Sequence, residues 1–202
     1  MTQEDHELRR VIDMMNRRGH SHEFAVETAL DRKAMERLTA VEWATSSRSK
    51  FGLSVTNIRS SDHDPPDCIG LLAGNEISIE LTELVNPKIL RAIDAARKNG
   101  QRITASDELF DAAQWTPDLL QSGIQDRITD KDARYDGRIC VDVLIIHTAE
   151  TWLSPFDVEK WLPTFSFGVP HNIGSSFLLM RYHPGYSETW PVFSLTGHLP
   201  TL

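Results

Sequence analysis

Cysteine is scarce in this chain: Cys68 and Cys140 are its only two in 202 residues. Neither belongs to a Cys-x-x-Cys pair, which excludes a thiolate zinc finger, and both fall in apolar, strand-like settings expected of reduced core thiols. Long apolar runs are missing as well. No stretch approaches the roughly 20 apolar residues that a membrane-spanning helix requires. The opening Met1-Thr2-Gln3-Glu4-Asp5 lacks the apolar segment of a secretory signal. A cytoplasmic location, away from membranes, is the expectation. Basic residues are also in deficit: 21 Lys and Arg stand against 29 Asp and Glu, a net charge of −8. Proteins that coat a nucleic-acid backbone gather cations to displace counterions, so that class is excluded and only local basic patches remain. The candidates are Lys88, Arg91, Arg97, Lys98 and Arg102, then Arg127, Lys131, Arg134 and Arg138; the alternative is that they form solvated helix faces. No Ser/His/Asp triad, phosphate-binding loop or dinucleotide fingerprint can be assembled, and there is no internal repeat.

What is present reads as a single α/β domain over 1–202, with a helical N-terminal part at 1–46 and an α/β core at 52–195. Residues 4–18 and 23–46 are rich in Ala, Leu, Met, Glu and Arg and predict helices broken near Gly19-His20-Ser21. A first strand is expected over 52–59, a second over Cys68 to Leu72, and a third from Asn75 through Thr82, with Ala73-Gly74-Asn75 as the turn. Helices follow at Pro87 to Lys98, at 107–113, and from a Thr116-Pro117-Asp118 start. The apolar run 139–147 predicts a central strand buried on both faces. A helix opening at Ser154-Pro155 and strands at 176–182 and 190–195 complete the order.

The third strand carries the chemistry. Strict alternation puts Ile77, Ile79 and Leu81 on one face and Ser78, Glu80 and Thr82 on the other. Asp67 opens the neighbouring strand, so two carboxylates meet across adjacent strands, a good arrangement for a hard divalent cation that takes oxygen ligands. Asp64-Pro65-Pro66-Asp67 followed by Glu80-Leu81-Thr82 resembles the core motif of the PD-(D/E)XK phosphodiesterase superfamily, with Thr82 where that motif usually has lysine. The resemblance implies a restriction-endonuclease-like core, a mixed central sheet flanked by helices, with N-terminal helices and extra C-terminal strands. It further implies Mg²⁺ or Mn²⁺ as cofactor, DNA or RNA as substrate, and Asp67, Glu80 and the main-chain carbonyl of Leu81 as metal ligands.

Members of that superfamily that lack the motif lysine can supply it from a nearby helix. Leu120, Ile124, Ile128, Lys131 and Tyr135 fall on one helical stripe, which makes Lys131 the candidate third catalytic residue; the alternative is a boundary lysine whose stem covers apolar surface. Such relatives often add an acid from a helix before the first strand, here Glu42 or, with less support, Glu36. Glu83 is expected on the face opposite Glu80, and Asp64 in a turn. His20-x-His22 has zinc-like spacing but lies between helices; His63 is near Asp67 in sequence. A second function class stays open: a nuclease-like scaffold without catalysis, serving as a binding or assembly module. Its partner or dimer surface would be the aromatic-rich C-terminal region of Phe165, Phe167, Phe177, Tyr182, Tyr186, Trp190 and Phe193, unless these residues pack in the core.

Overall fold

The computed structural model describes residues 29–100, 113–135, 137, 140–150 and 152–197. The helix expected at 4–18, the His20-Ser21-His22 pair, most of the helix expected at 107–113, and Arg102 and Arg138 lie outside these residues. Helix α1 (Ala29–Phe51) comes first, then strands β1 (Val55–Ser60), β2 (Cys68–Leu72) and β3 (Asn75–Glu83). Helices α2 (Pro87–Lys98) and α3 (Pro117–Tyr135) follow, then β4 (Val141–Thr148), α4 (Pro155–Trp161), β5 (Ile173–Met180) and β6 (Val192–Thr196). The six strands form one mixed sheet in the order β1-β2-β3-β4-β5-β6. Strand β2 runs antiparallel to both of its neighbours, β1 and β3; β3, β4 and β5 run parallel, and β6 returns antiparallel. The α/β class and the mixed sheet flanked by helices are as expected from the sequence.

Each face of the sheet has its own core. Ile77, Ile79 and Leu81 pack with Ala40, Trp43, Ala44, Val143, Ile145 and Phe177 under α1. Leu120, Ile124, Ile128 and Tyr135 of α3 pack with Leu84, Leu144, Ile146 and Leu178 on the opposite face. The unbroken apolar run of β4 divides between the two cores, as a central strand covered on both sides must. Full burial of one leucine or isoleucine contributes about 1.5–3 kcal/mol relative to exposure, so the α3 stripe alone holds that helix firmly on the sheet. Gly123 lets α3 approach closely: a Cβ there would stand 3.1 Å from Leu84 Cδ1.

Several boundaries depart from expectation for identifiable reasons. Gly52 does not begin the first strand but ends α1, with φ at 73° and its N–H donating to the Arg48 carbonyl at 3.1 Å. Strand β5 starts at Ile173, earlier than the expected 176, because it pairs with β4 from Val141↔Ile173 onward. Gly174 masks that start in the sequence; its bare backbone is needed where a Cβ would come within 2.9 Å of the Asp142 carbonyl. Cys68 is buried, but Cys140 is exposed just before β4, so only one of the two thiols belongs to the core. Most of the C-terminal aromatics pack inward: Phe177 and Phe193 are buried, while Phe165, Phe167, Tyr186 and Trp190 lean on the two cores; Tyr182 stays half exposed.

Candidate active site

The register of the β2–β3 hairpin places Asp67. Its last paired residues at this end are Cys68 and Ile79, so β3 runs on past the start of β2 and Leu81 lies beyond the last β2 pair. The Asp67 carboxylate takes that place, with Oδ2 accepting the Leu81 N–H at 2.8 Å. The Leu81 side chain is buried under α1, so the part of Leu81 that borders the cleft is its main chain. A strand residue presents N–H and C=O to the same side, and the Leu81 carbonyl therefore points the way its N–H does, towards Asp67. The 61–67 segment is anchored to α1 and to itself: Lys33 Nζ donates to the Ser61 carbonyl at 2.9 Å, and the Ser61 N–H donates to the Asp67 carbonyl at 2.9 Å.

Glu80 lies on the opposite face of β3 from Leu81, beneath α3. Lys131, one position along the α3 stripe from Ile128, meets it there, and the Lys131 ammonium donates to Glu80 Oε1 in a close ion pair. The pair is largely shielded, with side chains 14% and 5% exposed. Glu80 Oε2 is buried, and so is the Tyr135 hydroxyl, which lies one helical turn beyond Lys131 and interacts with the Glu80 carboxylate. The α3 start behaves as expected: the Leu119 N–H donates to Thr116 Oγ1 at 3.2 Å, capping the helix that delivers Lys131.

These residues border one cleft of about 590 Å³, walled by Arg32 and Glu36 of α1, by Asp64, Pro65 and Asp67, by Glu80 to Glu83 of β3, and by Arg127, Lys131, Arg134 and Tyr135 of α3. Acidic groups therefore meet basic ones from two helices. Burial is the largest influence on Asp67, followed by the charge of Glu80; together they outweigh the Leu81 N–H and push its pKa up to about 7. Burial also raises Glu36, against the opposing pull of Arg32 and with the charges of Asp64 and Glu80 adding to the rise. Burial first, then the nearby Glu80 carboxylate, pushes the Tyr135 phenol upward.

Asp67, Glu80, Leu81 and Lys131 are thus brought together, while Glu42 is not: it lies off the cleft, and Glu36 lines it instead. The reason is helical phase. Glu36 shares a stripe with Ala40, Trp43 and Ser47, all of them buried, at spacings of four, three and four, whereas Glu42 falls off that stripe. The same periodicity, read from Trp43, was the available signal. Glu83 also borders the cleft despite its alternate position in the strand. Thr82 lines the cleft beside Glu80. Lys88, Arg91 and Lys98 of α2 are exposed and take no part in the cleft, whereas Arg127, Lys131 and Arg134 do. His63 is exposed and does not line it.

Among the described residues, no three His, Cys, Asp or Glu side chains form a ready-made metal cage. The donors that are present suit a different kind of ion. Mg²⁺ keeps several waters and is held by one or two carboxylates, and the carboxylates of Asp67 and Glu80, both bordering the cleft, are oxygens of the kind such an ion takes. No family model matches this chain, and comparison with curated proteins and with solved structures returns no match.

Proposed function

We propose that this protein is a cytoplasmic, divalent-metal-dependent phosphodiesterase acting on nucleic acid, of the PD-(D/E)XK type. The observation that carries the reading is the meeting of Asp67, Glu80 and Lys131 in one cleft, delivered by the end of a hairpin and by a separate helix 51 positions away in sequence. Asp67, Glu80 and the Leu81 carbonyl would hold Mg²⁺ or Mn²⁺. When bound, such an ion lowers the pKa of a water ligand and offsets charge gathering on the phosphate. Lys131, fixed by Glu80, stands ready to orient the attacking water or to stabilise the developing negative charge, the role left open by Thr82. The Leu81 N–H holds Asp67 in its rotamer, so the carboxylate is preorganised.

Calorimetric titration of Mn²⁺ and cleavage of labelled DNA and RNA test this reading together. Wild type should bind the ion and cleave, and Asp67→Ala and Glu80→Ala should each lose both while keeping the fold. Full activity in both variants would sink the site.

Two observations favour a second reading. Lys131 already occupies one oxygen of Glu80, and Phe156, which packs edge-on against His183 and Tyr186, stands 53% exposed, with Tyr182 52% exposed. A nuclease-like scaffold without catalysis, binding a protein or a second copy through this aromatic region, would show neither cleavage nor metal binding, and light scattering would report the assembly.

A further inference from the structure

The cations of α3 are sorted by face. Arg127, Lys131 and Arg134 all border the cleft, whereas Asp126 and Asp130 are exposed and line no part of it. Asp132 is turned to the β5 side, where its carboxylate accepts the N–H of His171 and, at 2.7 Å, of Asn172. The helix therefore offers the cleft a row of positive groups at i, i+4 and i+7. At about 1.5 Å per residue these steps rise about 6 Å and about 4.5 Å. Arg127 adds an independent sign of a missing ligand: its Nε is buried and has no hydrogen-bond partner in place.

The phosphates of a nucleic-acid strand wind round the outside of the helix, so along the backbone they lie farther apart than the rise of about 3.4 Å per nucleotide, in the range of the steps of this row. We propose, resting on the phosphodiesterase reading, that Arg127, Lys131 and Arg134 follow three successive phosphates of one nucleic-acid strand, with Lys131 at the scissile phosphate and the two arginines on its neighbours. Arg127 and Arg134 are positioning residues for the strand. The guanidinium fork suits phosphate oxygens, and the net charge of −8 is no obstacle, because the cations are concentrated on one wall of the cleft.

Binding tests this apart from chemistry. Fluorescence anisotropy with labelled single-stranded DNA and RNA, and with the corresponding duplexes, is followed across a salt series on the Asp67→Asn protein, alone and with Arg127→Ala, Arg134→Ala or Arg127→Lys added. Arg59→Ala is the control, since Arg59 pairs with Glu76 at 3.0 Å away from the cleft. Each arginine-to-alanine change should lower the slope of log K against log salt by about 0.7, the contribution of one phosphate contact on a single strand. Arg127→Lys should keep the slope, and Arg59→Ala should leave it unchanged. Thermal unfolding checks that each variant is folded. Unchanged slopes, an equal loss in Arg59→Ala, or no binding of any oligonucleotide would overturn the inference. Cleavage by wild type with unchanged slopes sinks the strand row alone, and lowered slopes without cleavage sink the phosphodiesterase reading alone.

Discussion

Asp67 is the residue on which the account turns, and its ionisation has a consequence for stability. Its pKa in the folded protein is about 7 against an ordinary 3.8, so folding penalises the charged form. Stability from this group is complete below pH 3.8 and is lost as pH rises through about 7. In chelator, Asp67→Asn should therefore raise Tm above pH 7, and the advantage should shrink steadily on acidification; thermal melts from pH 4 to 8 check it, and a constant gap would contradict it. The usual stability–function trade-off at a site has the same origin. Cys68 is a second case: burial, then the Asp67 charge, pushes its thiol up to about 12, while Cys140 is exposed. A thiol reagent at pH 8 should modify one cysteine quickly in the folded protein and the second only after unfolding; two fast reactions would show that Cys68 is open. At this scale the closeness of Asp67 and Glu80 was legible in the sequence, because alternation and a turn are local signals. It did not reveal Glu36 over Glu42, since the choice depends on how α1 is rotated against the sheet, nor the exposure of Cys140, which depends on where β4 begins pairing.

Elements carry the site into position, and two of them can be tested directly. The β2–β3 turn is Ala73-Gly74, both with positive φ, at 52° and 83°. That geometry suits Asn-Gly and penalises alanine, so Ala73→Asn should stabilise the protein by about 1 kcal/mol, read as a shift in the denaturant midpoint with an unchanged slope. Helix α3 holds Lys131 against Glu80, and removing one member of a shielded pair leaves the other charge buried. Lys131→Ala should cost about 3 kcal/mol in metal-free protein. Mn²⁺ should recover more of its Tm than it adds to wild type, and an unaltered Tm would show the pair to be peripheral. The α3 stripe was legible because Leu120, Ile124, Ile128 and Tyr135 repeat at helical spacing and all are buried. The start of β5 was not, because Gly174 has no strand-like side chain and its place in the sheet is fixed by β4, a long-range partner.

For the whole molecule, the six-stranded mixed sheet separates two tasks. The face under α1 holds the apolar cluster around Trp43, with Ser46 and Ser47 of α1 also buried, whereas the opposite face admits Glu80 and Lys131 at the edge of its core, where α3 and the hairpin end part to form the cleft. Element order could be read from composition and periodicity, which explains why the fold class emerged from the sequence; the joining of Asp67, Glu80 and Lys131 is a property of topology and needed coordinates. The overall negative charge argued against broad nucleic-acid binding, and the structure shows how the charge is distributed, with Arg32, Arg127, Lys131 and Arg134 gathered at one cleft. The central claim is that this cleft hydrolyses phosphodiesters with a metal held by Asp67 and Glu80. The most direct test is cleavage of labelled single-stranded DNA and RNA in Mg²⁺ or Mn²⁺ by wild type beside the near-isosteric Asp67→Asn and Glu80→Gln proteins, all shown to be folded. Metal-dependent cleavage by wild type, reduced about 10²-fold or more in each variant, is the predicted result; no cleavage by wild type, or cleavage undiminished in both variants, would contradict it.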